Sequence, residues 1–380
     1  MAVVINGTTG IDKVQDGSIV SADIAADAVN STKIDNSIPL GRRNILRNGD
    51  MRIAQENDDT AITATSTQYV IDRIKHNLAG STGARYSVQR KNTAGGGPDR
   101  HPYYMRVECT TAQSAQSGTQ SNFEDHRIES QDLNGLAWGT NGAKGATLSF
   151  WIKGNVTGTY AVWFYSVAAV ANKMITKYYT INTADTWEYK TITIPARNDE
   201  VMASSAASGL YVRFIWNTGT GYSSGTASTS AWAADSNVNR YAGHGVNLAS
   251  ATGNYIETTG HQLEAGSVAT EFEFRDRGTQ LRDCQRYFYK WVNTGLDDQI
   301  SLGTPYNPAQ QDGSLPNTSA AGHLYFPTEM RARPTVVAVM SAGSINRASS
   351  TYTGFTAQMS TTTVSQSVSS VTSYTATAEL

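Results

Sequence analysis

The residues of this 380-residue chain that could do chemistry fall in a few short stretches. Gly221, Tyr222, Ser223, Ser224 and Gly225 spell G-x-S-x-G, the pattern that turns a strand into a helix and lifts a nucleophilic serine above an α/β sheet. The residues that follow, TASTSAW, are poor helix formers, so the segment reads as a Gly/Ser/Thr loop. Acidic groups gather at Glu124, Asp125, Glu129 and Asp132 around His126, and a pair stands at Asp297 and Asp298. Two carboxylates flanking one glycosidic bond would make a polysaccharide hydrolase, but adjacent residues such as Asp297 and Asp298 point to opposite sides of a strand. Solvated charge is the expected state of all these groups.

No metal and no cofactor is expected. Calcium could use Glu124, Asp125 or Glu129, yet no D-x-D-x-D-G loop is present. Cys109 and Cys284 lack zinc-ligand spacing and read as two buried thiols. The six histidines, His76, His101, His126, His244, His261 and His323, are dispersed, and His261 is expected to be buried and hydrogen-bonded. Sugar binding asks instead for aromatic faces beside polar side chains, because the ligand is itself amphipathic. Trp151, Trp163, Trp187 and Trp216 lie in strong strand patterns and read as core or subunit-interface residues. Tyr222, Trp232 and Tyr241, in the loop-rich stretch 217–245, and Tyr306 and Asn307, in LGTPYNPAQQDGSLPN, are the glycan-binding candidates.

Strands must carry these groups. Charged residues make up 16% of the chain, against about 25% in an average protein, and 33 glycines with many Ser, Thr, Ala and Asn fill the difference. A net charge of −2 with scattered Lys and Arg excludes counterion-driven nucleic-acid binding. The start MAVVINGTTG lacks a basic n-region, and the longest near-apolar run, Ala161 to Ala171, is too short to span a bilayer, so neither a secretory leader nor membrane insertion is expected.

Val14, Ile19, Ile24, Val29 and Ile34 recur at every fifth position. Five-residue steps advance about 140° around a helix and alternate between the faces of a strand, so an isolated chain gains nothing from them. The repeat points to an extended segment whose apolar residues meet identical copies at a common axis, most simply in a homotrimer. From Asn44 onward the pattern becomes strand-like, with Tyr69–His76, Ala84–Arg90, Tyr103–Cys109, Ala146–Lys153, Thr159–Val167, Met174–Ile181, Trp187–Ile194, Leu210–Trp216 and Asn254–Leu263 as candidates. Leu148, Phe150 and Ile152 share one face, as do Val212, Phe214 and Trp216. A short helix is expected around Leu281 and Cys284, running into a strand that reaches Trp291, and further strands at Gly322–Phe326 and Thr335–Met340.

The fold class is therefore mainly β. The expected division is an N-terminal trimerising segment at 1–43, a central jelly-roll sandwich at 44–274, a helix and strand linker at 275–293, and a smaller β-sandwich at 294–380. Arg275, Asp276, Arg277, Arg282 and Asp283 in the linker are expected to pair between subunits.

The blocks NILRNGDMRIAQ, YVIDRI, HQLEAGSVATEFEFR, LRDCQRYFYKW and LYFPTEMRARPTV, in that order and with a terminus in AEL, resemble the tail-fibre and receptor-binding proteins of tailed bacteriophages, including those of cyanobacteria and other aquatic bacteria. The resemblance covers most of residues 44–340. It implies a homotrimeric fibre in the virion tail, assembled in the host cytoplasm and joined to the tail or baseplate by its N-terminus. It also implies a central jelly roll similar to carbohydrate-binding modules, and distal domains that meet host polysaccharide or lipopolysaccharide without catalysis. The alternatives are a virion-associated depolymerase of the glycosidase or lyase kind and a free carbohydrate-binding adhesin.

Overall fold

A computed structural model describes residues 42–380 except 65–66, 81–84, 93–95, 99, 117, 293–299, 302–317, 341–343 and 362–369. The pentad positions Val14, Ile19, Ile24, Val29 and Ile34, the candidates Tyr306 and Asn307, and the pair Asp297 and Asp298 lie outside the described residues. Residues 43–380 form one compact unit.

Among the described residues, thirteen antiparallel strands build the larger sandwich. In chain order they are β1 (Ile62–Ala64), β2 (Gln68–Ile71), β3 (Ile74–Ala79), β4 (Arg85–Asn92), β5 (Tyr103–Thr111), β6 (Ser121–Glu129), β7 (Ala146–Gly154), β8 (Gly158–Ser166), β9 (Lys173–Ile181), β10 (Glu188–Ile194), β11 (Ser208–Thr218), β12 (Ala233–Ala234) and β13 (Tyr255–Ala265). One sheet has the order β1-β4-β5-β13-β7-β10 and the other β12-β9-β8-β11-β6-β3-β2. The alternation read from sequence faces inward: Leu148, Phe150 and Ile152 of β7 and Val212, Phe214 and Trp216 of β11 are wholly buried in one apolar core. Each such side chain contributes about 1.5–3 kcal/mol by leaving water.

Two departures from the sequence reading shape the interior. Tyr69–His76 is broken by a turn at Asp72 and Arg73, where Arg73 takes a left-handed φ of 68°. The stretch Ser121–Glu129, read as solvated charge, is instead an internal strand of its sheet, between β11 and β3.

The blocks NILRNGDMRIAQ and HQLEAGSVATEFEFR form one fitted unit. Ile45 donates its amide to the Leu263 carbonyl at 2.8 Å, and His261 donates to the Gly49 carbonyl at 2.9 Å. A Cβ at Gly49 would stand 1.9 Å from the His261 carbonyl oxygen, so only glycine lets the two backbones approach. Asn44 Nδ2 donates to that same oxygen at 3.0 Å.

Helix α1 (Arg277–Gln285) starts at Asp276, whose side chain accepts from the Thr279 amide at 2.8 Å. A smaller sandwich follows. β14 (Phe288–Val292), β15 (Ile300–Ser301), β17 (Thr335–Met340) and β20 (Ser370–Thr377) form one sheet, and β16 (Thr318–Tyr325), β18 (Ser344–Ser350) and β19 (Gly354–Thr361) form the other. Phe326, Met330, Phe355, Tyr374 and Ala376 fill the space between them. Its last residues seal it to the larger sandwich: Glu379 pairs with Arg73, and the Leu380 oxygen accepts from Tyr69 at 2.7 Å and Arg127 at 2.9 Å.

Four of the linker charges expected to pair between subunits have partners in their own chain. Arg275 meets Asp283 at 2.7 Å, Asp283 also meets Arg47 at 3.3 Å, Asp276 caps the helix, and Arg282 reaches the Thr279 hydroxyl at 3.4 Å. Cys109 and Cys284 are both buried free thiols.

Candidate functional site

On the outer face of the six-stranded sheet, the positions opposite the core residues of β7 and β10 carry aromatic rings. Trp151 and Tyr189 are register partners, and their rings meet at 5.2 Å with a 52° tilt. Tyr189 is 44% exposed and Trp151 half-buried. Beyond them, His101 lies 4.9 Å from Phe272 and 5.0 Å from Phe274. Together these rings line a cleft of about 380 Å³, with Arg100, Thr270 and Glu271 supplying polar groups. Arg100 and Glu271 form an exposed ion pair at 2.7 Å, and the Arg100 guanidinium also lies 4.6 Å from the Phe274 ring centre. A second aromatic group adjoins on the same face, where Trp187 meets Tyr104 edge-on at 5.5 Å and Lys153 lies 5.1 Å from the Trp187 ring.

The wall at 269–274 is held by its backbone. Glu264 accepts from the Thr270 amide at 2.8 Å and its hydroxyl at 2.7 Å, and Gln262 Oε1 accepts from the Glu273 amide at 2.8 Å. Glu273 in turn accepts from the Arg43 and Asn44 amides at 2.8 and 2.6 Å. The cleft is therefore preformed, with flat apolar faces and rim groups able to donate and accept, as binding of an amphipathic ring requires.

The outer face of the seven-stranded sheet is also aromatic, but it is covered. Phe123, Trp163 and Tyr241 are buried there together. The Arg213 guanidinium sits 3.6 Å from the centre of the Phe123 ring, donates to the Tyr241 hydroxyl at 2.8 Å and meets Asp125 at 3.2 Å. Tyr241, named from sequence as a glycan candidate, is 1% exposed, so its ring faces are inside the protein. Tyr222 is half-buried against Tyr241 at 5.5 Å. Trp232 packs edge-on against Trp138 at 5.4 Å and donates to the Pro195 carbonyl at 3.0 Å. Ser223 of the G-x-S-x-G stretch donates to the Gly219 carbonyl at 3.0 Å, within a single helical turn.

Of the core or interface reading for Trp151 and Trp187, the core part is corrected: both stand half-buried on an outer face. The signal was available, since Trp151 falls out of phase with Leu148, Phe150 and Ile152. Trp216 is in the core as expected, and Trp163 is buried under the 217–245 stretch.

The acidic group around His126 is also corrected: Glu124, Asp125 and Glu129 are buried and Asp132 half-buried, and all but Glu124 have cationic partners. Glu129 accepts from Arg286 at 3.0 Å and Tyr287 at 2.5 Å, Asp132 from Arg47 at 2.7 Å, and Asp125 meets Arg127 at 3.1 Å. Glu124 and His126 face the core instead, where His261 arrives from β13. A bulge between Thr259 and Gln262 inserts one residue, which turns His261 inward beside Ile256, Thr258 and Leu263. Gly260 makes this turn at φ 65°. His126 Nε2 lies 2.7 Å from His261 Nδ1, and Glu124 Oε1 lies 3.4 Å from both nitrogens. Burial, then His126 and His101, hold His261 well below the usual histidine range. Burial raises the Glu124 carboxyl against the opposing pull of His126.

No protein-family model and no curated protein matches the sequence. Solved structures that align with the chain include the enzymatically active domain of tailspike protein 4 of bacteriophage CBA120, at 12% identity and TM-score 0.32, over 58% of this chain and 21% of that domain. A family 61 carbohydrate-binding module in complex with β-1,4-galactotriose aligns at 11% identity and TM-score 0.28, over 59% of this chain and 99% of the module. An arabinose-bound α-L-arabinofuranosidase aligns at 8% identity and TM-score 0.29, over 64% of this chain and 30% of the enzyme. The expectation of a chain without catalysis is corrected on this point. Two of these structures belong to enzymes by name, so absence of activity does not follow from the architecture, and identities this low carry neither activity across.

Proposed function

We propose that residues 43–380 bind a glycan in the cleft between Trp151, Tyr189 and the 269–274 wall. The single observation that carries this reading is the tilted Trp151 and Tyr189 pair, an exposed aromatic platform beside the Arg100 and Glu271 ion pair. A pyranose ring offers an apolar C–H face for the platform and hydroxyls for the rim. Titration calorimetry of the full chain against surface polysaccharide fragments tests it. Binding should weaken roughly tenfold or more in the Trp151→Ala, Tyr189→Ala double variant, while a measured affinity unchanged by that variant would place the sugar elsewhere.

The biological setting we infer is a tailed-phage fibre, trimeric through the 14–34 repeat and joined to the tail or baseplate by its N-terminal end, with host polysaccharide or lipopolysaccharide as the ligand. The five-residue repeat and the ordered sequence blocks support this reading. Native mass spectrometry of the full chain should give a trimer, and a stable monomer at micromolar concentration would remove that part of the reading.

A further inference from the structure

We propose that Glu124, His126 and His261 are ligands of a buried divalent transition-metal ion, best matched by Zn²⁺, that pins the two sheets of the larger sandwich together. Their ligand-type atoms all lie within 4.8 Å of one another. Glu124 and His126 come from β6 in one sheet and His261 from β13 in the other, 135 residues from His126 along the chain.

The hydrogen bonding around His261 sets its tautomer. The Thr258 hydroxyl donates to the Trp151 carbonyl at 3.1 Å. Its oxygen is therefore left to accept from His261 Nε2, which lies 2.5 Å away. His261 Nδ1 then carries the lone pair and accepts from His126 Nε2 at 2.7 Å, so a metal ion here would take the place of that proton, with His126 protonated on Nδ1 instead. An outer partner that orients a histidine in this way is what metal-ligating histidines commonly have.

Glu124 supplies the independent observation. It is wholly buried, and neither carboxylate oxygen makes a hydrogen bond. Its oxygen Oε1 stands 3.4 Å from both histidine nitrogens, and aromatic rings close on the cluster, with Phe214 stacked on His261 at 4.8 Å and Phe150 edge-on to His261 at 6.2 Å. A buried carboxylate with no donor is costly, and a cation between it and two imidazoles removes that cost.

The spacing and donor set choose the ion. Tetrahedral bonds of about 2.0–2.1 Å set ligand atoms about 3.3 Å apart. Two of the three separations are 3.4 Å, and the third, 2.7 Å between the histidine nitrogens, must open by about half an ångström. Two nitrogens and one oxygen suit Zn²⁺ or Co²⁺ over Ca²⁺ and Mg²⁺, which take oxygen donors. His76 is the cross-strand partner of Glu124 in the β3 and β6 register, is wholly buried, and has no hydrogen-bond partner at either ring nitrogen. Closed in by aromatic rings, such an ion would be structural.

The test uses the full chain, refolded in chelator and then again with Zn²⁺ or Co²⁺. After gel filtration, elemental analysis should find about one zinc per chain, and the melting temperature should rise by roughly 5 °C or more over the chelated protein. The cobalt form should show the intense visible bands of a tetrahedral site. Glu124→Gln keeps shape and removes charge, and it should lose the ion and the thermal shift. Wild-type protein that folds, retains no zinc and gives no cobalt bands would overturn the proposal without reference to any variant, as would metal binding unchanged in Glu124→Gln.

Discussion

Both sheets of the larger sandwich turn an aromatic outer face away from the shared core, and the two faces have opposite fates. On the seven-stranded sheet the 217–245 stretch folds back, so that Tyr241 is buried and Arg213 is locked between Asp125, Tyr241 and the Phe123 ring. On the six-stranded sheet the comparable cover, at 269–274, stops at the edge of the aromatic row and becomes a wall. The same residue types thus act as a second core on one side and leave an open platform on the other. An aromatic ring in a loop marks a binding site only if nothing packs on it. Conversely, a tryptophan in a strand is available when its phase in the alternation is the polar one.

Breaking the covered face should have the largest effect. Asp125→Ala leaves the Arg213 cation buried and half-partnered, and we expect a loss of about 3 kcal/mol or more in chemical denaturation. Tyr241→Ala should cost on the order of 3 kcal/mol through the void and the lost Arg213 bond. Neither should alter the affinity of the open cleft, and a selective loss of sugar binding with stability intact would reverse the assignment of the two faces.

The open face should behave the other way. Trp151→Ala should cost under about 1 kcal/mol of stability, since surface positions rarely contribute more, while weakening glycan binding by roughly tenfold. A large drop in melting temperature with unchanged affinity would mean that Trp151 is a packing residue after all.

A smaller effect concerns the joint between the two sandwiches. Glu56 is pushed up to about 9 by burial and then by Glu379 and Asp72, with Lys290 and Arg73 opposing. Asp72 is pushed up to about 6, again chiefly by burial, against hydrogen bonds from Gln55. Raised carboxyl values mean that the folded chain holds more protons than the unfolded one above the ordinary carboxylate range. The corresponding stability is complete below about pH 4 and fades as pH rises through about 6 and then about 9. Hydrogen exchange at Ala378–Leu380 should therefore quicken across that range beyond its intrinsic pH dependence, and Glu56→Gln should flatten the trend. A joint that tightens with rising pH would refute this reading.

The mainly β class and most longer strands of the larger sandwich were legible, because apolar residues alternate in β7 and β11 and β-branched and aromatic residues crowd β8 and β9, while the short β1 and β12 carry too few residues to show a pattern. The internal strand β6 was not, since Asn122, Glu124 and His126 face the core while Phe123, Asp125 and Arg127 face out, and that pattern has no apolar phase. Its charges look solvated until Arg213, Arg286 and Arg47 are brought to them by distant parts of the chain. His126 and His261 could not be joined from sequence, because their meeting depends on a one-residue bulge. The cleft was half legible. Trp151 and Tyr189 betray themselves by phase, but the wall carrying Phe272 and Phe274 depends on hydrogen bonds that it donates to Gln262 and Glu264, which no local pattern announces.

The most direct test of the two-face account is hydroxyl-radical footprinting of the full chain with and without a bound oligosaccharide. Protection should concentrate at Trp151, Tyr189, Phe272 and Phe274, with Tyr222 and Trp232 unchanged. Protection at Tyr222 and Trp232, with Trp151 and Tyr189 as reactive as in the free protein, would contradict it.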